Sequence, residues 1–258
     1  MARASINPSA RCRIGVAASL LALLTACGGG NGASPVSTPR PTPTPTPTPT
    51  PPPTNFDTEE FRFSTGPEQH GAIAAWEDGF TGDGSIIAIV DTGIDSDSPE
   101  FAGRIHPDSA DVAGNRGIDG EDDHGTNVAM VAAAARDDTG VLGIAFDAQV
   151  LAIRADEPGS CGTDTPQDAS LSCLFADTAI AAGVDLAVNS GAKVVNLSLG
   201  GGGASQVLLD AVARASAAGV VVVVAAGNSG DGSDPNIPAD QPDPFAISIR
   251  QAMKASST

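Results

Sequence analysis

The stretch Ser85-Ile-Ile-Ala-Ile-Val-Asp-Thr-Gly-Ile-Asp95 decides the fold that this sequence predicts. Its run of β-branched residues from Ile86 to Val90 is typical of a strand that is buried on both faces. The run stops at Asp91, which opens an Asp-Thr-Gly tripeptide. Because open α/β sheets place their chemistry at the C-terminal ends of parallel strands, Asp91 is a candidate functional residue. Taken alone, the tripeptide also fits an ordinary turn after a core strand.

Strands and helices alternate along the rest of the chain. The further predicted strands cover 149–154, 193–199 and 220–226, and 246–249 is one more candidate; the predicted helices cover 71–77, 124–135, 174–190 and 204–218. This alternation predicts an α/β fold, a doubly wound, mostly parallel sheet with helices on both faces. Right-handed crossovers then bring Asp91, the segment after Asn196 and Asn228 to one edge of the sheet.

The first 27 residues have the features of an export signal. Three arginines precede an apolar segment, 14–26, that is too short to span a bilayer stably. The segment ends in Leu-Thr-Ala-Cys27, which resembles the lipobox of bacterial lipoproteins. The resemblance implies cleavage before Cys27, attachment of lipid to its sulfur, and a protein anchored to the bacterial outer membrane or cell surface. An ordinary signal peptide with a chance cysteine is the alternative.

A linker follows at residues 28–55, and the remaining residues, 56–258, are predicted to fold as a domain. Residues 39–54 are mostly a Pro-Thr repeat. Such a repeat favours extended polyproline II, at about 3.1 Å per residue, and would hold the domain away from a membrane. Low complexity without a specific purpose would also produce a spacer.

The composition limits the partners that this protein could bind. The formal net charge is -18, and 41% of the residues are hydrophobic but only 3% are aromatic. An acidic surface disfavours nucleic acid, because phosphate binding needs lysine and arginine. The scarcity of aromatic residues predicts a core of Ala, Val, Ile and Leu. No feature of the sequence defines an oligomeric state.

Three motifs together point to one enzyme family. Asp91-Thr-Gly ends a strand, His124-Gly-Thr opens a helix, and Ala-Ala-Gly-Asn228 ends a valine-rich strand. Their order and elements resemble the subtilisin-like serine proteases (subtilases) over roughly residues 66–249. The interval from Asp to His is about 32 residues in the family and 33 here. The interval from His124 to Asn228 is longer than in the family, which fits an insertion around Cys161 and Cys173.

The resemblance implies a serine endopeptidase that acts on polypeptides and a role for each matched residue. Asp91 would orient His124, the general base, and stabilise its charged form. The amide of Asn228 would donate a hydrogen bond to the oxyanion of the tetrahedral intermediate. Ser198, Leu199 and Gly200 resemble the segment that pairs with an extended peptide substrate.

The sequence departs from the family at the nucleophile. The family carries its serine in a Gly-Thr-Ser-Met-Ala segment, which is absent from these 258 residues. Family spacing places that serine between roughly 281 and 294. We therefore expect a truncated chain with a subtilisin-like fold that is incomplete at its C-terminus, inactive by itself, with exposed apolar surface at an unpaired strand edge. Asn127, where the family usually has a second histidine, is a smaller departure.

Two further features bear on stability. Cys161 and Cys173 bracket a polar loop and could form a disulfide in an exported protein, with two free thiols as the alternative. No cofactor is required by the proposed chemistry. Subtilases often bind Ca²⁺, and a group of acidic residues could contribute to such a site, although a solvated turn is the commoner use. These residues are Asp95, Asp97, Asp119, Glu121, Asp122 and Asp123.

Two other function classes compete with the protease. A non-catalytic surface lipoprotein, or pseudoenzyme, could bind extended peptides without cutting them; the absent serine favours it, whereas the intact Asp91 and His124 argue against it. A nucleotide-binding domain is suggested by the glycines at 200–203 between a strand and a helix. The loop lacks a Gly-x-Gly-x-x-Gly pattern, and no Gly-Lys-Ser/Thr follows it, so the nucleotide-binding hypothesis is weak.

Overall fold

Five parallel strands form the central sheet of the protein, whose structure, a computed structural model, describes residues 54–161, 173–227 and 242–255. Their order across the sheet is β2-β3-β1-β4-β5. The strands are β1 (Ile86–Asp91), β2 (Ala110–Asp111), β3 (Gln149–Arg154), β4 (Val194–Leu197) and β5 (Val221–Val224). The described helices are α1 (Glu59–Phe63), α2 (Thr65–Gln69), α3 (Ala72–Glu77), α4 (His124–Ala133), α5 (Asp177–Asn189), α6 (Gln206–Ala217) and α7 (Pro244–Ala255), with a short 3₁₀-helix at Pro99–Phe101.

Strand β1 is the centre of the sheet because its alternate side chains enter two separate cores. Ala88 and Val90 belong to the larger core, which α5, α6 and α7 cover. Ile89 points to the other face and joins the core formed with Ala129 and Ala133 of α4. Helices thus cover both faces, and the predicted α/β fold with a parallel sheet is confirmed.

The aromatic side chains are concentrated outside the sheet. Trp76 of α3 is 2% exposed, and its indole N–H donates to the Ile144 carbonyl at 2.8 Å. The rings of Phe56, Phe61 and Phe146 surround it at centroid distances of 5.2–5.9 Å. This cluster fastens the N-terminal helices to the loop before β3, whereas the cores of the sheet consist mainly of aliphatic residues, as the composition predicts.

Strand β5 has an open apolar face within the described part of the chain. It lies at the end of the strand order, so that one of its edges has no partner strand among the described residues. Val221 and Val223 are 58% and 47% exposed. The register aligns Ile89, Asn196 and Val223, so these valines lie on the face of the sheet that α4 covers farther along.

The prediction of a strand at 246–249 is wrong, because these residues lie inside α7 (Pro244–Ala255). Pro244 occupies the first helical position, where its missing N–H costs nothing and its fixed φ suits the helix. Phe245, Ala246 and Ile249 are buried at the spacing of one helix face and pack beneath α6. A short apolar run cannot distinguish strand from helix by periodicity alone.

Candidate active site

Asp91 and His124 meet at the C-terminal edge of the sheet. Nδ1 of His124 lies 2.7 Å from Oδ1 of Asp91. Asp91 is fully buried, whereas the His124 side chain is 51% exposed. The buried carboxylate therefore fixes one ring nitrogen and leaves the rest of the imidazole open to a ligand.

The turn after β1 brings these two residues together through unusually close backbone contacts. Gly93 has a φ of +96°, and a Cβ at this position would lie 2.3 Å from the Ile118 carbonyl oxygen. A Cβ on Gly125 would lie 2.1 Å from the Gly93 carbonyl oxygen and 3.1 Å from Cβ of Asp91. The Gly125 N–H donates to Oγ1 of Thr92 at 3.0 Å. The two glycines thus permit the start of α4 to pack directly against the end of β1.

Two carboxylates act on the charge of His124. The hydrogen bond to Asp91 raises the pKa of His124 above its ordinary value, with a smaller contribution from the charge of Asp122, while burial opposes the shift. Asp122 also accepts a hydrogen bond from the His124 N–H, at 2.8 Å. The surroundings therefore favour the imidazolium, the form that a general base adopts after it has taken a proton.

We predict that replacing Asp91 by Asn lowers the pKa of His124, because the substitution removes the main cause of its elevation. Histidine-selective NMR titration measures this directly, with the signals of His70 and His106 as internal references. The ion pair stabilises the fold fully below the unfolded pKa of about 6.5 and loses this effect as pH rises through the raised folded pKa. A His124 pKa that is unaltered in Asp91→Asn contradicts the prediction.

A cavity of about 640 Å³ lies beside His124. Ser198, Leu199 and Gly200, which follow β4 directly, line one side of it. Oγ of Ser198 accepts a hydrogen bond from the Asn196 amide at 2.9 Å, which ties this segment to the strand. The segment and the imidazole of His124 thus share one cavity.

A second short segment also lines the cavity, and its residues from Leu174 onward belong to the helix predicted at 174–190. Cys173, Leu174 and Phe175 line the cavity in an extended conformation, and α5 begins only at Asp177. Phe175 forms an antiparallel bridge with Asp156, and the Glu157 N–H donates to the Leu174 carbonyl at 2.7 Å. A disulfide joins Cys161 to Cys173. The loop between the cysteines, 162–172, lies outside the described residues.

An ion network below the site was missed by the sequence analysis. Arg154, opposite Asp91 in the register of β1 and β3, is 2% exposed and binds Oδ1 of Asp156 at 2.8 Å. Its side chain also reaches Glu121, at 3.1 Å, in the loop before His124.

Arg116 extends this network by pairing with both Asp156 and Asp111. Burial raises the pKa of Asp111, but the hydrogen bonds from Arg116 outweigh this effect and lower the pKa to about 2. The network fastens the loop before His124 to the sheet.

Two predicted site residues cannot be located. Asn228 and Cys27 both lie outside the described residues. The description of the β5 loop ends at Gly227, whose φ is +91°. The position of the Asn228 side chain relative to His124 is therefore a sequence prediction alone.

Four of the six acidic residues proposed for calcium accept hydrogen bonds or form an ion pair within the protein. Oδ1 of Asp95 accepts from the Asp97 N–H, Oδ1 of Asp119 accepts from Ser96, Glu121 pairs with Arg154, and Asp122 accepts from His124. Within the described ranges, no group of three or more His, Cys, Asp and Glu side chains is arranged to hold a metal ion.

Four carboxylates have a buried oxygen without a hydrogen-bond partner in the described part of the chain: Asp91 and Asp243 near the cavity, and Glu60 and Glu100, each at Oε2, away from it. Oε1 of Glu60 accepts from the Asp137 N–H at 3.3 Å, and the carboxylate of Glu100 packs against Gly140. Burial and the charge of Asp137 raise the pKa of Glu100. The loop after α4 thus encloses two incompletely satisfied carboxylates.

Comparison with known proteins agrees with the motifs. A profile of the Subtilase family matches residues 82–257. Thermitase from Thermoactinomyces vulgaris is 37% identical over 175 residues, which are 67% of this chain and 57% of thermitase. Subtilisin Savinase from Lederbergia lenta is 38% identical over 162 residues, which are 63% of this chain and 54% of Savinase.

The crystal structure of fervidolysin from Fervidobacterium pennivorans, a keratinolytic enzyme related to subtilisin, has a TM-score of 0.55 and 30% identity to this protein. The match covers 67% of this chain and 26% of the fervidolysin chain. This chain thus spans little more than half the length of thermitase and Savinase, and a smaller part of fervidolysin. The match to the family profile, which extends over more than half of the sequence, shows that the chain belongs to the subtilase family.

Proposed function

We propose that this protein carries the Asp-His part of a subtilase active site and serves serine-type endopeptidase chemistry on polypeptides. The observation that carries the proposal is the 2.7 Å contact between buried Asp91 and half-exposed His124, at a cavity lined by Ser198, Leu199 and Gly200. Binding alone would need neither a buried carboxylate nor a histidine oriented by it.

The proposed roles follow from the chemistry of the two side chains. With Nδ1–H of His124 donating to Asp91, Nε2 carries the lone pair and can take the proton of a nucleophilic hydroxyl. Asp91 holds that tautomer and stabilises the imidazolium. Asn228 would donate to the oxyanion, a contribution worth about 3 kcal/mol or more. The 198–200 segment would pair with the substrate backbone as an added strand.

The peptide-binding part of this proposal can be tested on the full chain by histidine-selective NMR. An extended peptide added to the protein should shift the ring signals of His124, because His124 lines the cavity. The signals of His70 and His106, the two other histidines, should remain in place and serve as controls. If saturating peptide leaves all three signals unchanged, the cavity is not a peptide site and the proposal fails.

A non-catalytic peptide-binding lipoprotein is the second candidate, and the observation that favours it is the lack of a Gly-Thr-Ser-Met-Ala segment in these 258 residues. Reading the gene past the codon for Thr258 in all three frames separates the two candidates. Such a segment about 25 to 40 codons downstream supports the endopeptidase. A stop codon without such a segment supports the non-catalytic protein.

We propose calcium as a structural ligand, held by Glu60 and Glu100 rather than by the acidic loop before His124. Both carboxylates are buried, and each has an oxygen without a partner in the described residues. Calcium takes six to eight oxygen ligands, and backbone carbonyls of the surrounding loop could supply neutral ones. A bound cation would relieve the cost of the two unpaired buried carboxylates.

Calcium at about a hundred times its Kd is expected to raise Tm by about 5–10 °C relative to excess EDTA. Glu100→Gln should abolish this increase, because it removes one of the two charged ligands. Glu68→Gln is the matched control, since Glu68 is exposed on α2. Thermal unfolding followed by circular dichroism gives Tm, and equal values in calcium and in EDTA for the unsubstituted protein contradict the site.

We further propose that the protein is exported and anchored by lipid at Cys27. Support comes from the signal-like residues 1–27 and from a relative described as the minor extracellular protease Epr of Bacillus subtilis. None of the helices in the described ranges is long and apolar enough to cross a membrane.

Lipidation predicts that cells grown with radioactive palmitate label the protein and that Cys27→Ala abolishes the label. The sulfur of Cys27 is the acceptor in the lipobox interpretation. Cys12→Ala is the matched control, because Cys12 lies earlier in the leader and should not affect labelling. Unlabelled intact protein, or labelling that persists in Cys27→Ala, argues against the anchor.

A further inference from the structure

The cavity beside His124 has an acidic lining. Asp122 and Asp177 contribute to its wall, and none of the described residues that line it is lysine or arginine. Each of the two aspartates uses one oxygen to accept a backbone N–H, from His124 and from Ser205. Apart from His124, the charged side chains of the lining are therefore acidic, which favours a cationic ligand.

A third carboxylate lies directly behind one wall of this cavity. Asp243 is 7% exposed, and its Oδ1 is buried without a hydrogen-bond partner among the described residues. Its N–H donates to the Ala226 carbonyl at 2.8 Å, which fixes its backbone beside the end of the β5 loop. An ionised carboxylate left unpaired in such a place is costly unless a cation reaches it.

Two glycines lie close to this carboxylate. Gly200 lines the cavity, and a Cβ on it would lie 3.0 Å from Oδ2 of Asp243. A Cβ on Gly227 would lie 2.0 Å from Cγ of Asp243, so any side chain there would collide with the carboxylate. Only bare backbone therefore stands between Asp243 and the cavity, at the segment proposed to pair with the substrate.

We infer that Asp243 is a specificity-determining residue and that the cavity takes a substrate segment with a lysine or arginine side chain. The inference rests on the proposed function, because it assumes that the cavity is a peptide groove. The charge of Asp243 would act on the cationic group across the bare backbone of Gly200, and Asp177 on the cavity wall would add to the attraction. Opposite charges attract strongly across the low-dielectric interior of a protein even without direct contact.

The test uses the full chain and fluorescein-labelled pentapeptides Ala-Ala-Pro-Xaa-Ala with an amidated C-terminus, in which Xaa is lysine, norleucine or glutamate. Norleucine is nearly isosteric with lysine but uncharged, so their comparison isolates the charge without altering the protein. We expect the lysine peptide to bind at least roughly tenfold more tightly than the norleucine peptide by fluorescence anisotropy, and the glutamate peptide to bind most weakly.

In Asp243→Asn, the ratio of the affinities for the lysine and norleucine peptides should fall to within about threefold. Asp83→Asn is the matched control, because Asp83 is exposed at the opposite end of β1 and its loss changes the net charge equally. Equal preference in Asp243→Asn and the unsubstituted protein overturns the role of Asp243. Peptides that all bind, with norleucine at least as tight as lysine, overturn the inference alone, whereas no binding of any peptide overturns the proposed function with it.

Discussion

A polypeptide of these 258 residues is expected to hydrolyse peptides about a millionfold more slowly than a subtilase with its complete machinery, the loss that removal of the nucleophilic serine causes in subtilisin. Asp91 and His124 are within hydrogen-bond distance, but a general base accelerates nothing without a hydroxyl to deprotonate. The Gly-Thr-Ser-Met-Ala segment of the family is absent from the sequence. A fluorogenic peptide substrate measures the rate, and a fluorophosphonate probe measures whether any serine is activated.

The control for this prediction is His124→Ala. Trace hydrolysis that is equal in the variant and in the unsubstituted chain comes from another source, because a catalytic His124 would affect it. Hydrolysis or probe labelling that disappears in His124→Ala contradicts the prediction, since it would show that a hydroxyl of these 258 residues is activated by His124. Ser198 would then be the first residue to test, because it lines the same cavity.

The sheet and the two ends of its central strand could be predicted because their signals are local. Fewer than twelve consecutive residues are enough to recognise each of three features: the β-branched run of β1, its end at Asp91, and the helix that begins at His124. Because the strands are parallel, their C-terminal ends, which carry the functional residues, lie at the same edge of the sheet. Strands β4 and β5 are both shorter than predicted. After β4, Ser198 and Leu199 leave the sheet and line the cavity.

The remaining features depend on contacts between distant residues. The ion network joins Arg116 to Asp156, 40 positions apart, and Glu60 meets the loop at Asp137, 77 positions away. No periodicity or motif specifies such pairs. The segment 173–175 has apolar residues that continue smoothly into α5, so that only its bridge to Asp156 reveals that it is extended. A strand was predicted inside α7 because the four residues 246–249, three of them apolar, fit both periods.

Gly125 links the fold to the proposed chemistry, because its missing side chain sets the distance between α4 and β1. His124 is held by the backbone of α4, and Asp91 by the backbone of β1. Any movement that separates these elements also separates the two catalytic candidates, which now lie 2.7 Å apart. The hydrogen bond from the Gly125 N–H to Oγ1 of Thr92 resists such movement, and the absence of a Cβ on Gly125 lets the two elements approach closely enough to form it.

Gly125→Ala is therefore expected to lower the free energy of unfolding by about 3 kcal/mol, although alanine is the better helix former. The added Cβ would lie 2.1 Å from the Gly93 carbonyl oxygen, a backbone atom that can retreat only if the turn after β1 moves. Urea unfolding measures the loss. The matched control is Gly66→Ala in α2, where a Cβ meets nothing within 4 Å beyond its chain neighbours. Only the restriction imposed by the following Pro67 applies there, so the loss should stay within about 1 kcal/mol. Because separation from Asp91 also removes the main cause of the raised His124 pKa, the pKa should fall in Gly125→Ala but not in Gly66→Ala. If Gly125→Ala is as stable as Gly66→Ala, close packing at this glycine does not hold the two residues together.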